Sequence, residues 1–538
     1  MDRTKVIRIR NPIFKSLSAL LVLFTLLGVL SVQYISATYD ETTHFAYGEQ
    51  MLQGNSKRTG IHGDSNMPFS AWNALPEKLG SYLPAGSIRS YLSNLQTARC
   101  MTLIFSVMVA LLVFHWSRSL YGTIPGFASL LLYIFDPNII AHSQLVTTDI
   151  YAAGTTCLVF YCLWRFAHQR TLINGIFFVI ALGLCQLAKY TTIVLIPLSF
   201  LSLFLYDLPS LYQSIHNSGI VKRFALKYLG YFTFAAVGFI LIINLGFVFY
   251  RTFTLFGNYK FRSDWFQSTK SNYPILNAIP VPFPYSYLDG IDWMRHTQTS
   301  GGNSGTIYLL GNLNKQGFPG YYFVASFLKV PIATQIIILA GFILYLIQVD
   351  RRKHFLQDEI FLLVAVIVYS IYFNFFFNVQ IGIRYYLIIF PLLYVFAGGL
   401  FKGWNEFRPV QKISSFVLLA YLVISVLSYF PYYLTYFNEF VWNRTQAYKY
   451  LADSNLDWGQ GSMQLSQYLT NHPNAIVEPP TPQPGLLVVG INHLVGVTID
   501  PARFAWLRNN FEPVGTIANC FLVYQISPAD LQKLDITK

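Results

Sequence analysis

Charged residues are scarce in this sequence. Aspartate, glutamate, lysine and arginine together make up 11% of its 538 residues, whereas soluble domains carry roughly 25%. Hydrophobic residues make up 54% and aromatic residues 17%. So little charge cannot cover a water-exposed surface, which excludes an ordinary soluble enzyme. Low charge together with long apolar runs indicates a membrane protein.

Cysteines and clusters of metal ligands are also few. Four of the five cysteines lie in apolar runs, and Cys157 and Cys162 lack metal-ligand spacing. We therefore expect no disulfide framework and no cofactor. No cluster of ligands indicates a metal ion, although a divalent metal stays an open alternative. The net charge of +13 comes from basic residues in short clusters between apolar runs. That pattern is typical of membrane orientation and argues against nucleic-acid binding.

Hydropathy predicts about eleven transmembrane helices, because a helix needs about 20 apolar residues to cross a bilayer. The first, about 13–35, follows five basic residues and is interpreted as a retained signal anchor. The others lie near 99–118, 122–137, 148–167, 171–188, 190–207, 226–249, 325–347, 360–378, 382–400 and 413–435.

The short basic loops all lie on one side of these predicted helices. Their residues are Arg118, Arg165, Arg170, Lys222, Arg223, Lys227, Arg351, Arg352, Lys353, Lys402, Arg408 and Lys412. Because such loops face the cytoplasm, we expect a cytoplasmic N-terminus and an extracytoplasmic C-terminus. The long segments 36–98 and 250–324 then share the outer face with the C-terminal tail.

The predicted architecture is a polytopic α-helical membrane protein with two parts. Residues 1–435 form the transmembrane domain with its two outer loops, and residues 436–538 form a small extracytoplasmic α/β domain. In the tail we expect a helix over 444–471 and strands at 485–490 and 519–526.

Two adjacent carboxylates, Asp40 and Glu41, follow the first predicted span. Carboxylates at a membrane surface are costly to desolvate, so they need a partner or a function. One of them could remove the proton from an attacking hydroxyl as a general base. Alternatively, both could charge the N-terminus of a helix over 41–52. His44, on the same predicted helix, is a candidate for a substrate contact.

A third carboxylate and two cations lie where the chain meets the same outer face. Asp149 begins a predicted span, either as a helix cap or as a catalytic group. Lys189 and Arg384 lie within apolar sequence near outer helix ends. They could snorkel to the headgroups or clamp a phosphate, as a point charge and a bidentate fork. A polyprenyl-phosphate leaving group would need that neutralisation.

The outer loop at 250–324 supplies two further candidates for substrate contacts, Arg262 and His296. A structural histidine is the alternative for His296. Aromatic residues with glycine and proline in the same loop are typical of segments that lie on the bilayer surface.

These residues together resemble a known family. The pattern comprises Asp40-Glu41, Thr148-Asp149, Ala188-Lys189, Gly382-Ile-Arg384, Tyr308-Leu-Leu-Gly311, Phe327-Leu-Lys329-Val-Pro331, Tyr436-Phe-Asn438-Glu439 and Asp453-Ser-Asn455-Leu-Asp457-Trp-Gly459-Gln460. It is similar to the protein O-mannosyltransferase/aminoarabinose-transferase superfamily with the GT-C glycosyltransferase fold, in its bacterial phospholipid carrier-dependent branch. The resemblance covers about residues 13–525.

The resemblance implies inverting transfer of a sugar from a polyprenyl-phosphate donor to an acceptor hydroxyl in the bacterial inner membrane. By this analogy Asp40 is the general base, Lys189 and Arg384 contact the donor phosphate, and Asp149 shapes the pocket. The acceptor, whether protein, lipid or glycan, stays open. One departure bears on it, because relatives carry a His-Pro-Pro-Leu-type stretch where this chain has Asn66-Met-Pro68.

Two other functions compete with transfer. A transporter or flippase of lipid-linked saccharides would use the same cations without a general base. A non-catalytic scaffold would leave the convergence of Asp40, Asp149, Lys189 and Arg384 unexplained. The segment 453–460 is interpreted as a structural turn or an acceptor contact.

Overall fold

Long helices dominate the structure, a computed structural model that describes residues 3–58, 66–213, 218–299 and 306–532. Within these ranges, seven helices are long and apolar enough to cross a membrane. They are Pro12–Val32, Leu95–Tyr121, Asp149–His168, Tyr190–Gln213, Gly219–Gly246, Ile383–Phe401 and Pro409–Leu427. The chain is therefore an integral, multi-pass membrane protein.

Two further spans are possible as bent helix pairs. Thr123–Ile134 meets Pro137–Ser143 at 64°, and Tyr321–Lys329 meets Ile332–Ile347 at 117°. A proline stands at each break: Pro137 begins the second helix of the first pair, and Pro331 precedes the second helix of the other. Proline lacks a backbone N–H and disfavours helix at the preceding residue.

The predicted count of about eleven spans is not confirmed. The structure supports seven, or nine if each bent pair is one span. The two remaining predicted spans correspond to the apolar helices Leu172–Ala188 and Ile360–Phe375, which have 17 and 16 residues. Both are shorter than the roughly 20 residues that a straight span requires.

Shorter helices connect these elements and build the outer segments. The α-helices are Glu41–Leu52, Ser70–Gly80, Ser87–Leu92, Asp264–Asn272, Tyr285–Thr299, Val349–Arg352, Ser462–Asn471, Ile491–Val495, Ala505–Asn510 and Pro528–Gln532. Separate 3₁₀ turns are Phe256–Asn258, Pro274–Ala278, Trp404–Glu406, Tyr433–Thr435, Arg444–Lys449 and Asp453–Asn455.

Six short strands form two sheets. They are β1 (Ile307–Leu309), β2 (Asn312–Asn314), β3 (Ile476–Val477), β4 (Gly485–Gly490), β5 (Gly515–Ile517) and β6 (Phe521–Ile526). β1 and β2 form an antiparallel hairpin. The tail sheet has the order β3-β4-β6-β5, in which β3 and β4 run parallel and the other pairs are antiparallel. Both strands predicted in the tail are present.

The helix predicted over 444–471 is wrong in its first part. Only Ser462–Asn471 is α-helical, and the preceding residues form two 3₁₀ turns and irregular structure. The side chain of Asn443 accepts a hydrogen bond from Thr445 N, and that of Asp453 accepts one from Ser454 N. Such local side-chain bonds compete with helix formation.

The tail packs directly on the membrane helices. The side chain of Asn438 donates to the carbonyl oxygens of Phe327 and Val330 at 2.6 and 2.8 Å. Leu451 forms a bridge with Leu309 of β1. These contacts cross the predicted domain boundary at residue 436, so the first part of the tail is continuous with the helical core.

Candidate functional site

A cavity of about 900 Å³ lies where the first outer segment, several helix ends and the tail meet. Its wall contains Asp40, Asp149, Lys189 and Arg384, the four residues on which the predicted site rests. They come from positions up to 344 residues apart in sequence. The fold therefore brings the predicted carboxylates and cations to one place.

Asp40 forms an ion pair with Arg384. The Nη1 of Arg384 donates to Oδ2 of Asp40 at 2.8 Å, and the two side chains are 9% and 19% exposed, respectively. Asp40 stands just before the helix Glu41–Leu52, yet its side chain makes no capping hydrogen bond. The guanidinium of Arg384 also lies 4.1 Å from the ring centre of Trp458, a cation–π contact that fixes its orientation.

Asp149 forms a second ion pair, with Lys189. The Nζ of Lys189 donates to Oδ1 of Asp149 at 2.5 Å, and the Asp149 side chain is 2% exposed. Thr148 and Asp149 begin their helix without a side-chain cap bond. Lys189 also lies 3.9 Å from the ring centre of Tyr385, whose other cation neighbour is Arg384 at 5.5 Å. Tyr385 therefore links the two ion pairs.

The conformation of Gly382 places Arg384. Its φ of +115° is one that residues with a side chain rarely adopt, and a Cβ there would collide with Oγ of Ser454. The hydroxyl of Ser454 donates to the carbonyl of Ile381. The Oδ1 of Asn455 accepts a hydrogen bond from Ile383 N at 3.0 Å. The tail thus holds the backbone on both sides of Gly382.

Glu41 lies outside the cavity wall, in contrast to its neighbour Asp40. Its carboxylate receives two charge-assisted bonds from Arg99, at 2.6 and 2.8 Å. It also accepts hydrogen bonds from the backbone N–H groups of Thr38 and Val146. The side chain is fully buried. Glu41 therefore lies behind the cavity wall, and this geometry does not support its predicted catalytic role.

The other three predicted contacts lie in three different places. His44 is buried and lines the cavity, and burial lowers its pKa. Arg262 instead pairs with Asp289 at 3.0 Å in a second, smaller pocket. His296 lies edge-on to Trp293 and is not part of the cavity wall, although Thr297 and Gln298 of the same helix are.

Met67, in the segment that departs from the family pattern, also lines the cavity. The backbone N–H of Phe69 donates to the carbonyl of Leu187, two residues before Lys189. The loop is therefore attached close to the predicted phosphate-binding lysine.

Sequence reasoning missed Glu478 and His493, which the tail supplies to the cavity. Asp453 and Asp457 belong to the segment 453–460, for which an acceptor contact was one of two interpretations. All four residues line the cavity. The Nδ1 of His493 lies 2.5 Å from Oε1 of Glu478. This contact raises the pKa of His493 and lowers that of Glu478. Nothing in the sequence linked residues 478 and 493 to Asp40, because their proximity depends on the tail sheet.

The half-buried Asp453 and Asp457 differ from Glu478, because their pKa values are raised instead of lowered. Burial raises the pKa of Asp453 to about 6 and also raises that of Asp457. Their observed carboxylate bonds come from the backbone N–H groups of Ser454 and Gly459. Asp453 has a φ of +57°, a strained conformation of the kind found at functional sites.

Two further motif segments, 327–331 and 453–460, hold the residues around the cavity in place. Lys329 is buried, and its Nζ donates to the carbonyl oxygens of Leu434 and Asn455 at 2.8 and 2.5 Å. The backbone N–H of Tyr39 donates to the carbonyl of Trp458 at 3.0 Å. The segment 453–460 therefore contacts the neighbours of both Asp40 and Arg384, and is more than a simple turn.

No group of three or more His, Cys, Asp or Glu side chains in the described ranges is arranged to hold a metal ion. Among the described residues of the cavity wall, one is a lysine, Lys189, and one is an arginine, Arg384. These two side chains could neutralise a phosphate.

Comparison with known proteins agrees with the motif pattern. Residues 81–243 match the family model described as dolichyl-phosphate-mannose-protein mannosyltransferase. No curated protein sequence is detectably similar to the chain.

Two crystal structures of ArnT from Cupriavidus metallidurans are among the similar solved structures. The apo structure is 11% identical, with 94% of this chain and 97% of that chain covered and a TM-score of 0.29. The structure bound to undecaprenyl phosphate is 11% identical, with 95% and 98% covered and a TM-score of 0.27. The family match confirms the predicted resemblance to the GT-C glycosyltransferase superfamily.

Proposed function

We propose that this chain is an inverting glycosyltransferase that moves a sugar from a polyprenyl-phosphate donor to an acceptor hydroxyl. The observation that carries the proposal is one cavity with two carboxylate–cation pairs, Asp40 with Arg384 and Asp149 with Lys189. Such a cavity contains both a base for the acceptor and positive charge for the leaving phosphate. The family match over residues 81–243 supports the same reaction class.

Asp40 is the proposed general base. It accepts the proton of the acceptor hydroxyl while the hydroxyl oxygen forms a bond to C1 of the sugar. The bond from C1 to the phosphate oxygen breaks, and its electron pair leaves with the polyprenyl phosphate. Attack opposite the leaving group inverts C1.

Lys189 and Arg384 are the proposed phosphate ligands. Each is paired with a carboxylate in the structure, so an arriving phosphate competes for cations that are already oriented. When Arg384 turns toward the phosphate, Asp40 is released to accept a proton. Preorganised positive charge next to the developing phosphate charge lowers the barrier.

Asp149 and Glu41 have supporting roles in this proposal. Asp149 holds Lys189 through the 2.5 Å bond, and we assign it to shaping the pocket. Glu41 anchors the outer segment through Arg99, which also donates to the carbonyl oxygens of Ile35 and Ser36. We assign Glu41 to structure rather than chemistry.

The acceptor is proposed to approach from the tail. Asp457, Glu478 and His493 line that part of the cavity, and carboxylates there can accept hydrogen bonds from acceptor hydroxyl groups. The short basic loops support an extracytoplasmic position for this side, with the N-terminus cytoplasmic. The family resemblance supports a bacterial inner membrane. Labelling of Lys402→Cys and Arg503→Cys variants with an impermeant maleimide tests this orientation, and only the second should react from outside.

The reaction itself is tested with the full chain in nanodiscs or closed vesicles, a panel of undecaprenyl-phosphate sugars and a membrane extract that supplies hydroxyl acceptors. Release of undecaprenyl phosphate that depends on both Asp40 and Lys189 supports transfer. A flippase would leave the donor intact, so movement of unconsumed donor across a bilayer would overturn the proposal.

A further inference from the structure

A second pocket, of about 300 Å³, is strongly basic and has no part in the transfer reaction proposed above. Its wall contains five cations and one carboxylate, a formal net charge of +4. These six residues are Lys57, Arg58, Arg251, Lys260, Arg262 and Asp289. Such a concentration of one sign raises the local concentration of anions.

The pocket is built around Asp289. Its two carboxylate oxygens accept from Nη1 of Arg58 at 3.1 Å and from Nη1 of Arg262 at 3.0 Å. The Arg58 side chain is only 5% exposed. One carboxylate therefore orients two guanidinium groups, and the net positive charge of the pocket persists.

Aromatic contacts order the other wall. The guanidinium of Arg251 lies 4.3 Å from the ring centre of Tyr285, which stacks on Tyr259 at 4.5 Å. The turn that carries Arg251 is strained, because Val248, Phe249, Arg251 and Phe253 all have φ between +48° and +63°. Left-handed conformations cost such residues roughly 1–2 kcal/mol each. Strain of this kind is typical of functional positions.

The position of the pocket relates it to the membrane. The span Gly219–Gly246 ends just before Arg251, which places the pocket at the depth of lipid headgroups. Phe249, Phe253 and Leu255 flank it in sequence and are 52%, 65% and 40% exposed. Aromatic and apolar side chains at that depth are typical of segments that sit in the interface.

We propose that this pocket binds the phosphate of an anionic membrane phospholipid, on the same side of the protein as the catalytic cavity. Arg58 connects the two, because its guanidinium lies 5.5 Å from the ring centre of Tyr190 in the cavity wall. Arg262 is thereby assigned to lipid binding instead of the sugar transfer for which the sequence suggested it. The cations bind the phosphate, and the exposed apolar side chains contact the acyl chains.

The test uses the full chain in detergent, titrated with phosphatidylglycerol or phosphatidylcholine and followed by native mass spectrometry. The double variant Arg251→Gln/Lys260→Gln removes two exposed cations of the pocket. Each cation near a lipid surface contributes about fivefold to affinity, so the variant should bind phosphatidylglycerol about 30-fold more weakly. Binding of phosphatidylcholine should not change.

The matched control is Arg89→Gln/Lys315→Gln, which removes two exposed cations elsewhere in the outer segments. It should bind phosphatidylglycerol as the unaltered chain does. Equal affinity of the pocket variant and the control would overturn the proposal. Full competition by inorganic phosphate at equal concentration would assign the pocket to a free phosphate and overturn the lipid assignment. Neither result depends on the transfer reaction.

Discussion

Asp40 and Glu41 are adjacent in sequence, and replacing them one at a time tests the assignment of the base. Asp40→Asn keeps the size of the side chain and a bond to Arg384 while removing its charge. The Asp40 side chain is 19% exposed and its ion pair is partly solvated. A buried cation left without any partner costs about 3–5 kcal/mol, but asparagine keeps an oxygen that accepts from Arg384. The variant should therefore lose less stability than Glu41→Gln and remain folded.

The effect on catalysis should be far larger. A positioned general base contributes about 10²–10⁴-fold in rate, which corresponds to about 3–5 kcal/mol in the barrier. We expect kcat to fall by about 10³-fold. The KM for the donor should not rise, because the uncharged amide of the variant competes less than the Asp40 carboxylate with the donor phosphate for Arg384.

Glu41→Gln is the matched control. It leaves Arg99 buried at 1% exposure without its carboxylate partner, and breaking a buried ion pair costs about 3–5 kcal/mol. This variant should be clearly less stable. Its folded fraction should retain kcat within about tenfold.

Both variants are measured in nanodiscs by release of undecaprenyl phosphate and by thermal unfolding. The reasoning is refuted if Asp40→Asn keeps more than a tenth of kcat. It is also refuted if loss of activity follows loss of stability in both variants alike, because Asp40 would then be structural too.

Three further changes test the surroundings of the base. Lys189→Gln should raise the donor KM at least tenfold, and Lys189→Arg should raise it less because the positive charge is kept. An unchanged KM in Lys189→Gln contradicts phosphate binding by Lys189. Asn455→Ala leaves the buried N–H of Ile383 without its acceptor, which costs about 1–3 kcal/mol. We expect kcat to fall while donor binding by Lys189 persists. An unchanged kcat would exclude a role of Asn455 in positioning Arg384. Asp453→Asn should stabilise the chain by up to about 3 kcal/mol above pH 6 and by nothing below pH 4. A pH-independent effect in thermal unfolding contradicts this.

The sign of the Asp453 prediction follows from its raised pKa of about 6. Between the ordinary pKa near 4 and this value, the unfolded chain has released its proton and the folded chain still holds it. Stability therefore falls as the pH rises through this window. Asparagine cannot ionise, so its advantage grows over the same range.

Much of the site could be predicted because it uses charges that are rare in apolar sequence. Lys189 and Arg384 stand out for that reason, and their proximity to Asp149 and Asp40 follows from placing all four at the same end of the helices. The ion pairing itself could not be predicted. It depends on the approach of the tail to Gly382 and on Tyr385, which lies between the two cations.

The different positions of Asp40, in the cavity wall, and Glu41, behind it, could not be predicted from the sequence either. Adjacent residues at the start of a helix point in different directions, and the choice depends on Arg99, 58 residues away from Glu41. The tail shows the same limit. Its two longer strands are short apolar runs and were predicted, whereas the contacts of Glu478 and His493 arise only when the sheet docks on the cavity.

The central claim is that Lys189 and Arg384 hold the donor phosphate beside Asp40. The most direct measurement is a structure of the full chain with undecaprenyl phosphate bound. We predict phosphate oxygens at hydrogen-bond distance, about 3 Å, from both Lys189 Nζ and the Arg384 guanidinium, with the bond between Arg384 and Asp40 lengthened. A phosphate beyond that distance from both cations would contradict the account.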